Sequence, residues 1–262
     1  MGNVTKAQNT AVAIADIEAF GGMGFEETTS EDMSIPFLRI LDTSSPQVDE
    51  RAGEYVKGAK AGMIYNTVAD QAYDGIKGIT VVPCYYNRRF VEWKPRTEGG
   101  GYVDAYSPDN KIVGTTTKND LGQDMLPNGN TLVNTAQFFV ILITEEGMQK
   151  CLITMSSTQL KKAKKWVTQM QSLTGIHSKT GKPYTLPMML HRYQLTTVPE
   201  RNDKGSWFGW DIVKVNKLDL EKPEDKILFD DAVSFHTSVA SGDVKVKESD
   251  NTEKVEDDDI PF

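Results

Sequence analysis

Hydrophobic and polar positions divide the chain into a polar lead-in, a middle of strand-like runs and a polar end. Residues 1–32 read as a flexible lead-in. They hold one short helical stretch, Ala11 to Phe20, closed by Gly21-Gly22-Met23-Gly24. From Ser34 the pattern turns strand-like. Ile35 to Leu41 is apolar and ends in the turn-prone Asp42-Thr43-Ser44-Ser45-Pro46, and Met63-Ile64-Tyr65 is a second short candidate. Gly78 to Lys94 is the longest strand signal, and Pro83 inside it predicts a bulge or an edge position. Residues 95–132 are rich in Gly, Asn, Asp, Thr and Pro and read as a long excursion with small hairpins. Thr135 to Thr144 is apolar on both faces, as in a central strand. Glu145-Glu146-Gly147 then turns the chain into a partner strand, Gln149 to Met155.

A different period follows. Ser156-Ser157 can cap a helix running to about Leu173. Leu160, Ala163, Trp166, Val167, Met170 and Leu173 fall on one side of it. Lys161, Lys162, Lys164 and Lys165 fall on the other, as a solvated surface or as an electrostatic border for a polyanion. Thr174-Gly175 ends the helix. Two strands come next, Met188 to Val198 and Ser206 to Asn216, joined by Pro199 to Gly205. From Gly78 the order is strand, strand, strand, helix, strand, strand, which is the order of an OB-fold. The expected architecture is mainly β with minor α: an elaborated OB-fold, a five-stranded barrel with a helix between strands 3 and 4. It spans 33–217, followed by a C-terminal helix over 218–240 and a disordered acidic tail over 241–262.

Composition narrows the function classes. No run approaches the roughly 20 apolar residues of a membrane-spanning helix, and no secretory signal is visible at the start. Cys84 and Cys151 lie far apart in apolar runs and read as reduced core thiols, which suits a cytoplasmic setting. His177, His191 and His236 lack ligand spacing, so no metal or cofactor is expected. Gly99-Gly100-Gly101 is not followed by a phosphate-loop lysine, and no GxSxG occurs. No nucleophile–base pair or metal cluster is visible either, so the chain reads as a binding protein and not an enzyme.

Charge changes the picture further, because the formal net charge of −8 hides segregation. Residues 1–32 carry six acids and one lysine, 33–217 carry 23 basic and 17 acidic residues, and 218–262 carry five lysines and 14 acids. A basic body between acidic ends suits nucleic-acid binding, and equally an ordinary solvated surface with a solubilising tail. Aromatics interleave with the cations. Tyr86, Arg88, Arg89, Trp93, Lys94, Arg96 and Tyr102 form one candidate DNA-binding set, with Phe90 read as core. Lys179, Lys182, Tyr184 and Arg192 form a second, and Trp207-Phe208-Gly209-Trp210 adds aromatics. Single strands need this mixture: cations follow the phosphates while flat side chains stack on bases.

The last residues are the most specific signal. Acidic Asp257-Asp258-Asp259 is followed by Ile260-Pro261-Phe262. Solubility explains the aspartates but not the apolar tip, so the segment reads as a peptide ligand for a partner with an apolar pocket and a basic rim. This tip resembles that of bacterial single-stranded DNA-binding proteins, which also ends DDDIPF. The body resembles, more loosely, the phage-encoded single-stranded DNA-binding proteins, which join an elaborated OB-fold to an acidic tail. The resemblance implies sequence-tolerant binding and protection of single strands in phage DNA replication, recombination and repair, in the cytoplasm of the infected bacterial host. Replication and recombination proteins would be recruited through the tip. Two other roles fit the same residues: an annealing protein of phage recombination, and an inhibitor occupying host enzymes that read the bacterial tail.

Overall fold

A computed structural model describes residue 20, residues 23–29, 32–203 and 205–244, and residue 246; at position 96 it describes the backbone alone. The helical stretch expected over Ala11 to Phe20, apart from Phe20 itself, and the tip Asp257 to Phe262 lie outside these residues. The chain separates into two units, 1–34 and 35–262. In the first, the described residues form turns, such as Thr28 N–H to the Phe25 carbonyl at 3.1 Å, and Phe20, Met23, Phe25 and Met33 are exposed.

The second unit is mainly β, built on a curled antiparallel half-barrel sheet. In chain order its strands are β1 (Leu38–Ile40), β2 (Ile64–Asn66), β3 (Gln71–Tyr73), β4 (Ile79–Trp93), β5 (Tyr102–Tyr106), β6 (Thr117–Lys118), β7 (Asp124–Met125), β8 (Thr131–Thr144) and β9 (Gly147–Ser156). Helix α1 (Leu160–Gln171) follows, then β10 (Thr174–Ile176), β11 (Pro183–Thr185), β12 (His191–Asn202), β13 (Gly205–Lys217) and helix α2 (Pro223–Ser241).

The spine of the sheet is the pair β4 and β8, in register from Thr80 opposite Ile143 to Trp93 opposite Thr131. The register shifts between Pro83 and Tyr85, where proline cannot donate to the ladder, so the expected bulge is present. At one end of the spine the order is β9-β8-β4-β12-β13. At the other end β5 pairs with Phe90–Trp93 of β4, and β7 and β6 continue from β8. The distal half of the spine thus forms an arm. It contains the small hairpins expected in the 95–132 excursion.

Both faces of β8 are apolar because both are covered. Phe138, Val140 and Leu142 meet residues of β1, β2, β4, β9, β12 and β13 in one cluster, which therefore lies inside the curl. Helix α1 closes this cluster with Ala163, Trp166 and Met170; Trp166 stacks on Phe138 with centroids 4.4 Å apart. Phe139 and Ile141 face outward, under Leu228, Ala232, Phe235 and Val239 of α2. The small sheet β1-β2-β3 reaches across the open side of the curl. Phe37, just before β1, bridges in parallel to Leu152 of β9. Thr197 of β12 bonds the carbonyls of Gly75 and Gly62, and a Cβ at Gly62 would press on the Phe208 ring of β13 at 2.7 Å.

Several local expectations are corrected. Ser156 makes no side-chain cap; a 3-10 turn, Ser157–Gln159, leads into α1 instead. Thr174-Gly175 does not merely end the helix but opens the β10–β11 ribbon. Strand β12 begins at His191 after a 3-10 turn and runs on through Pro199 to Asn202, so most of the stretch read as a linker is strand. Helix α2 stops at Gly242, whose φ of 84° needs a residue without Cβ strain.

Candidate functional site

The first candidate set lies on the arm, and strand alternation divides it. Beyond the bulge β4 is regular, so Tyr86, Arg88, Phe90 and Glu92 share one side, and Asn87, Arg89, Val91 and Trp93 share the other. On the first side Arg88 donates from Nε to Asn134 Oδ1 at 2.7 Å and lies 5.5 Å over the Phe90 ring. Phe90, expected in the core, is half-buried as the floor beneath a cation. On the second side Trp93 meets Tyr102 edge to face at 6.1 Å. Arg89 reaches the Arg88 carbonyl at 3.4 Å, and Lys94 is exposed at the end of the strand. Arg96 opens a 3-10 turn. A strand of nucleic acid on either side of the arm therefore meets one cation–aromatic set, not all of these residues at once.

The arm is locked from beneath by a residue absent from the candidates. Glu92 is 2% exposed, yet three donors meet its carboxylate: Tyr106 Oη at 2.6 Å, Asn128 Nδ2 at 2.9 Å and Asn130 Nδ2 at 2.5 Å. Burial pushes this carboxyl up, but the three hydrogen bonds outweigh it and hold it below the usual carboxylate range. The same contact pushes the Tyr106 hydroxyl up to about 12. Glu92 thereby ties β5 and the turn before β8 to β4. Its signal in the sequence was a lone acid in a run of cations.

The second set divides as well. Lys179, Lys182 and Tyr184 stand exposed on the β10–β11 ribbon, with His177 edge to face with Tyr184 at 6.4 Å. Arg192 has another task. Its guanidinium meets Asp225 Oδ1 at 2.5 Å, and Asp225 Oδ2 accepts from the Asp219 N–H at 2.7 Å. The Arg192 hydrogen bond holds this buried carboxyl below its ordinary range. The pair anchors the first turn of α2. The third aromatic run is structural too. Trp210 is buried, Phe208 packs at Gly62, and Trp207 Nε1 donates to Glu200 at 2.9 Å.

The ribbon belongs to a larger electrostatic feature. Between Glu146 and Glu200 no acid occurs; these 53 residues carry seven lysines and one arginine. Three of the eight are paired: Lys150 with Asp231, Lys162 with Glu200, and Arg192 with Asp225. Lys161, Lys164 and Lys165 on α1, and Lys179 and Lys182 on the ribbon, form no ion pair among the described residues and are exposed. Arm and ribbon approach each other at a cleft of about 320 Å³, where Tyr86 of β4 and Thr185 of β11 are both in the lining.

The remaining chemistry is quiet. Cys84 and Cys151 are buried and unbridged, and burial pushes each thiol up to about 12. Among the described residues no helix is long and apolar enough to cross a membrane.

Fold and surface together define a mainly β protein with a curled antiparallel sheet and exposed cations beside aromatic rings. The chain belongs to the Pam3 phage gp34-like protein family, whose model matches residues 5–245. No curated protein and no solved structure matches it.

Proposed function

We propose that this protein binds single-stranded nucleic acid without sequence preference and without catalysis, in phage DNA replication, recombination or repair. The observation that carries the reading is the acid-free stretch from 147 to 199, whose five exposed lysines on α1 and on the ribbon with Tyr184 form no ion pair among the described residues. Together with Arg88 over Phe90 and Trp93 against Tyr102, it supplies cations for phosphates and rings for bases.

We read the half-barrel as an elaborated OB-fold. Numbering β4, β8, β9, β12 and β13 as first to fifth, the order across the sheet is third, second, first, fourth, fifth, with α1 between third and fourth. The seam between third and fifth is where β1–β3 pack. OB-folds commonly bind oligonucleotides on the face of strands two and three. Here α2 covers the outward side of β8 at Phe139 and Ile141, and Leu152 of β9 lies in the same buried layer. A strand would instead follow the arm and the ribbon. The acidic tail, with Phe262 at its tip, would recruit replication or recombination proteins.

The test is a titration with single-stranded and duplex oligonucleotides across salt, joined to a lysate pull-down with and without Phe262. Salt-sensitive preference for single strands is expected, with bacterial partners lost when Phe262 is removed. Equal affinity for duplex would sink the binding reading, and unchanged capture would sink the role of the tip.

A further inference from the structure

The edge of β4 is interrupted. Strand β12 pairs with it only through Ile79–Val81, and β5 only from Phe90 onward. Between them, residues 82–89 have no strand partner on that edge among the described residues. The segment after β11, the end of α1 and the middle of α2 close around this gap and leave the cleft of about 320 Å³. Tyr85 and Tyr86 belong to opposite faces of the sheet, yet both line it, because it sits on the edge.

We infer that this cleft holds one unstacked nucleobase of a bound single strand; the inference rests on the binding function proposed above. Its size falls at the lower end of ligand pockets, about 300–1,000 Å³, and suits a single flat group better than a folded partner. Its chemistry is that of a base. Tyr85, Tyr86 and Met188 offer apolar and aromatic surface, while Gln171, Thr185 and His236 offer polar atoms for a base edge. His236 Nδ1 lies 3.0 Å from the Cys84 carbonyl. A carbonyl accepts only, so Nδ1 carries a proton and Nε2 is left facing a ligand as the second polar atom of the ring. The side chains of Gln171 and Thr185 make no hydrogen bond among the described residues, which leaves them available to a ligand.

Charge selects a nucleotide over an apolar peptide side chain. Among the described residues no carboxylate lines the cleft. Arg88 lies two residues beyond Tyr86 on the same side of β4, about 7 Å along the strand. Lys182 lies just before the β11 residues that end at Thr185. These cations sit on or beside strands that supply lining residues, while among the described residues the lining itself holds no lysine or arginine, so phosphates would stay outside and one base would turn in.

The experiment fills the cleft. Thr185→Trp and Gln171→Trp enter it from the ribbon and from α1, both at exposed positions that leave the core intact. Each is titrated with an oligothymidylate and with an abasic phosphodiester chain of equal length. Both variants should bind the oligothymidylate about tenfold more weakly, as expected for one lost stacking contact. Abasic affinity and salt slope should be unchanged. Equal loss on both probes, or no loss on either, would overturn the base site while leaving strand binding standing. If wild-type protein binds neither probe, the underlying function fails, and the base site with it.

Discussion

The arm and the ribbon carry similar residues by opposite means. On the arm, Arg88 is fixed between Asn134 and the Phe90 ring, and the strand beneath it is locked by Glu92. On the ribbon, two three-residue strands hold Lys179, Lys182 and Tyr184 in solvent, with no ion pair among the described residues. A fixed guanidinium loses little rotamer freedom on meeting a phosphate and discriminates by geometry. Mobile ammonium groups attract at a distance but impose no register. One surface is built to position a polyanion, the other to gather it.

The largest expected effect breaks the arm and leaves the ribbon. Glu92→Ala strips Tyr106, Asn128 and Asn130 of their acceptor at a cost of about 3–5 kcal/mol. Trypsin should then cleave at Lys94, Lys111 or Lys118 while the ribbon sites keep their wild-type rate. Uniform cleavage of the whole chain would show that the arm is not a separate unit. Acid should act in the same direction. The folded carboxyl titrates below the 4.5 of a free glutamate, so its contribution is complete above that pH and is lost as pH falls through the folded value. Glu92→Gln should flatten this dependence.

Next in size is Arg192, which the sequence groups with the ribbon and the structure does not. Arg192→Ala leaves Asp225, with a side chain 8% exposed, as an uncompensated buried charge, at about 3–5 kcal/mol. Thermal unfolding should register that loss, while the salt slope of strand binding stays at the wild-type value. A shallower slope at unchanged stability would return Arg192 to the binding surface.

The smallest effect sharpens the contrast most. Arg88→Lys keeps the charge and removes the fixed geometry, so affinity should fall about threefold to tenfold. Lys179→Arg with Lys182→Arg should change nothing, whereas Lys179→Gln with Lys182→Gln should lower the salt slope by about 1.4. If both conservative exchanges are silent, the distinction between positioning and gathering fails.

What was legible in the sequence was periodic or local. The two-faced apolar run of β8, its hairpin with β9, the bulge at Pro83 and the buried stripe of α1 each follow from neighbouring residues. The ribbon was not legible, because Thr174–Thr185 is polar and shows no alternation. Glu92 was missed because its donors lie 14, 36 and 38 residues away. Arg192 carries the same signature as a phosphate contact, and only the fold brings Asp225 to it across 33 residues. The split of Tyr86 and Arg88 from Arg89 and Trp93 needed the position of the bulge, which a proline suggests but does not fix.

The patch that spans the open side of the curl bears on the order of folding. The bond from Thr197 to the Gly62 carbonyl joins residues 135 apart, and the bridge from Phe37 to Leu152 is similarly distant. Closing loops of that length costs entropy before any contact offsets it. The hairpins β8–β9 and β12–β13 need no such closure. On a nascent chain β1–β3 emerge first, yet the bridge to Leu152 must wait for β9 and the bond from Thr197 for β12 to leave the ribosome.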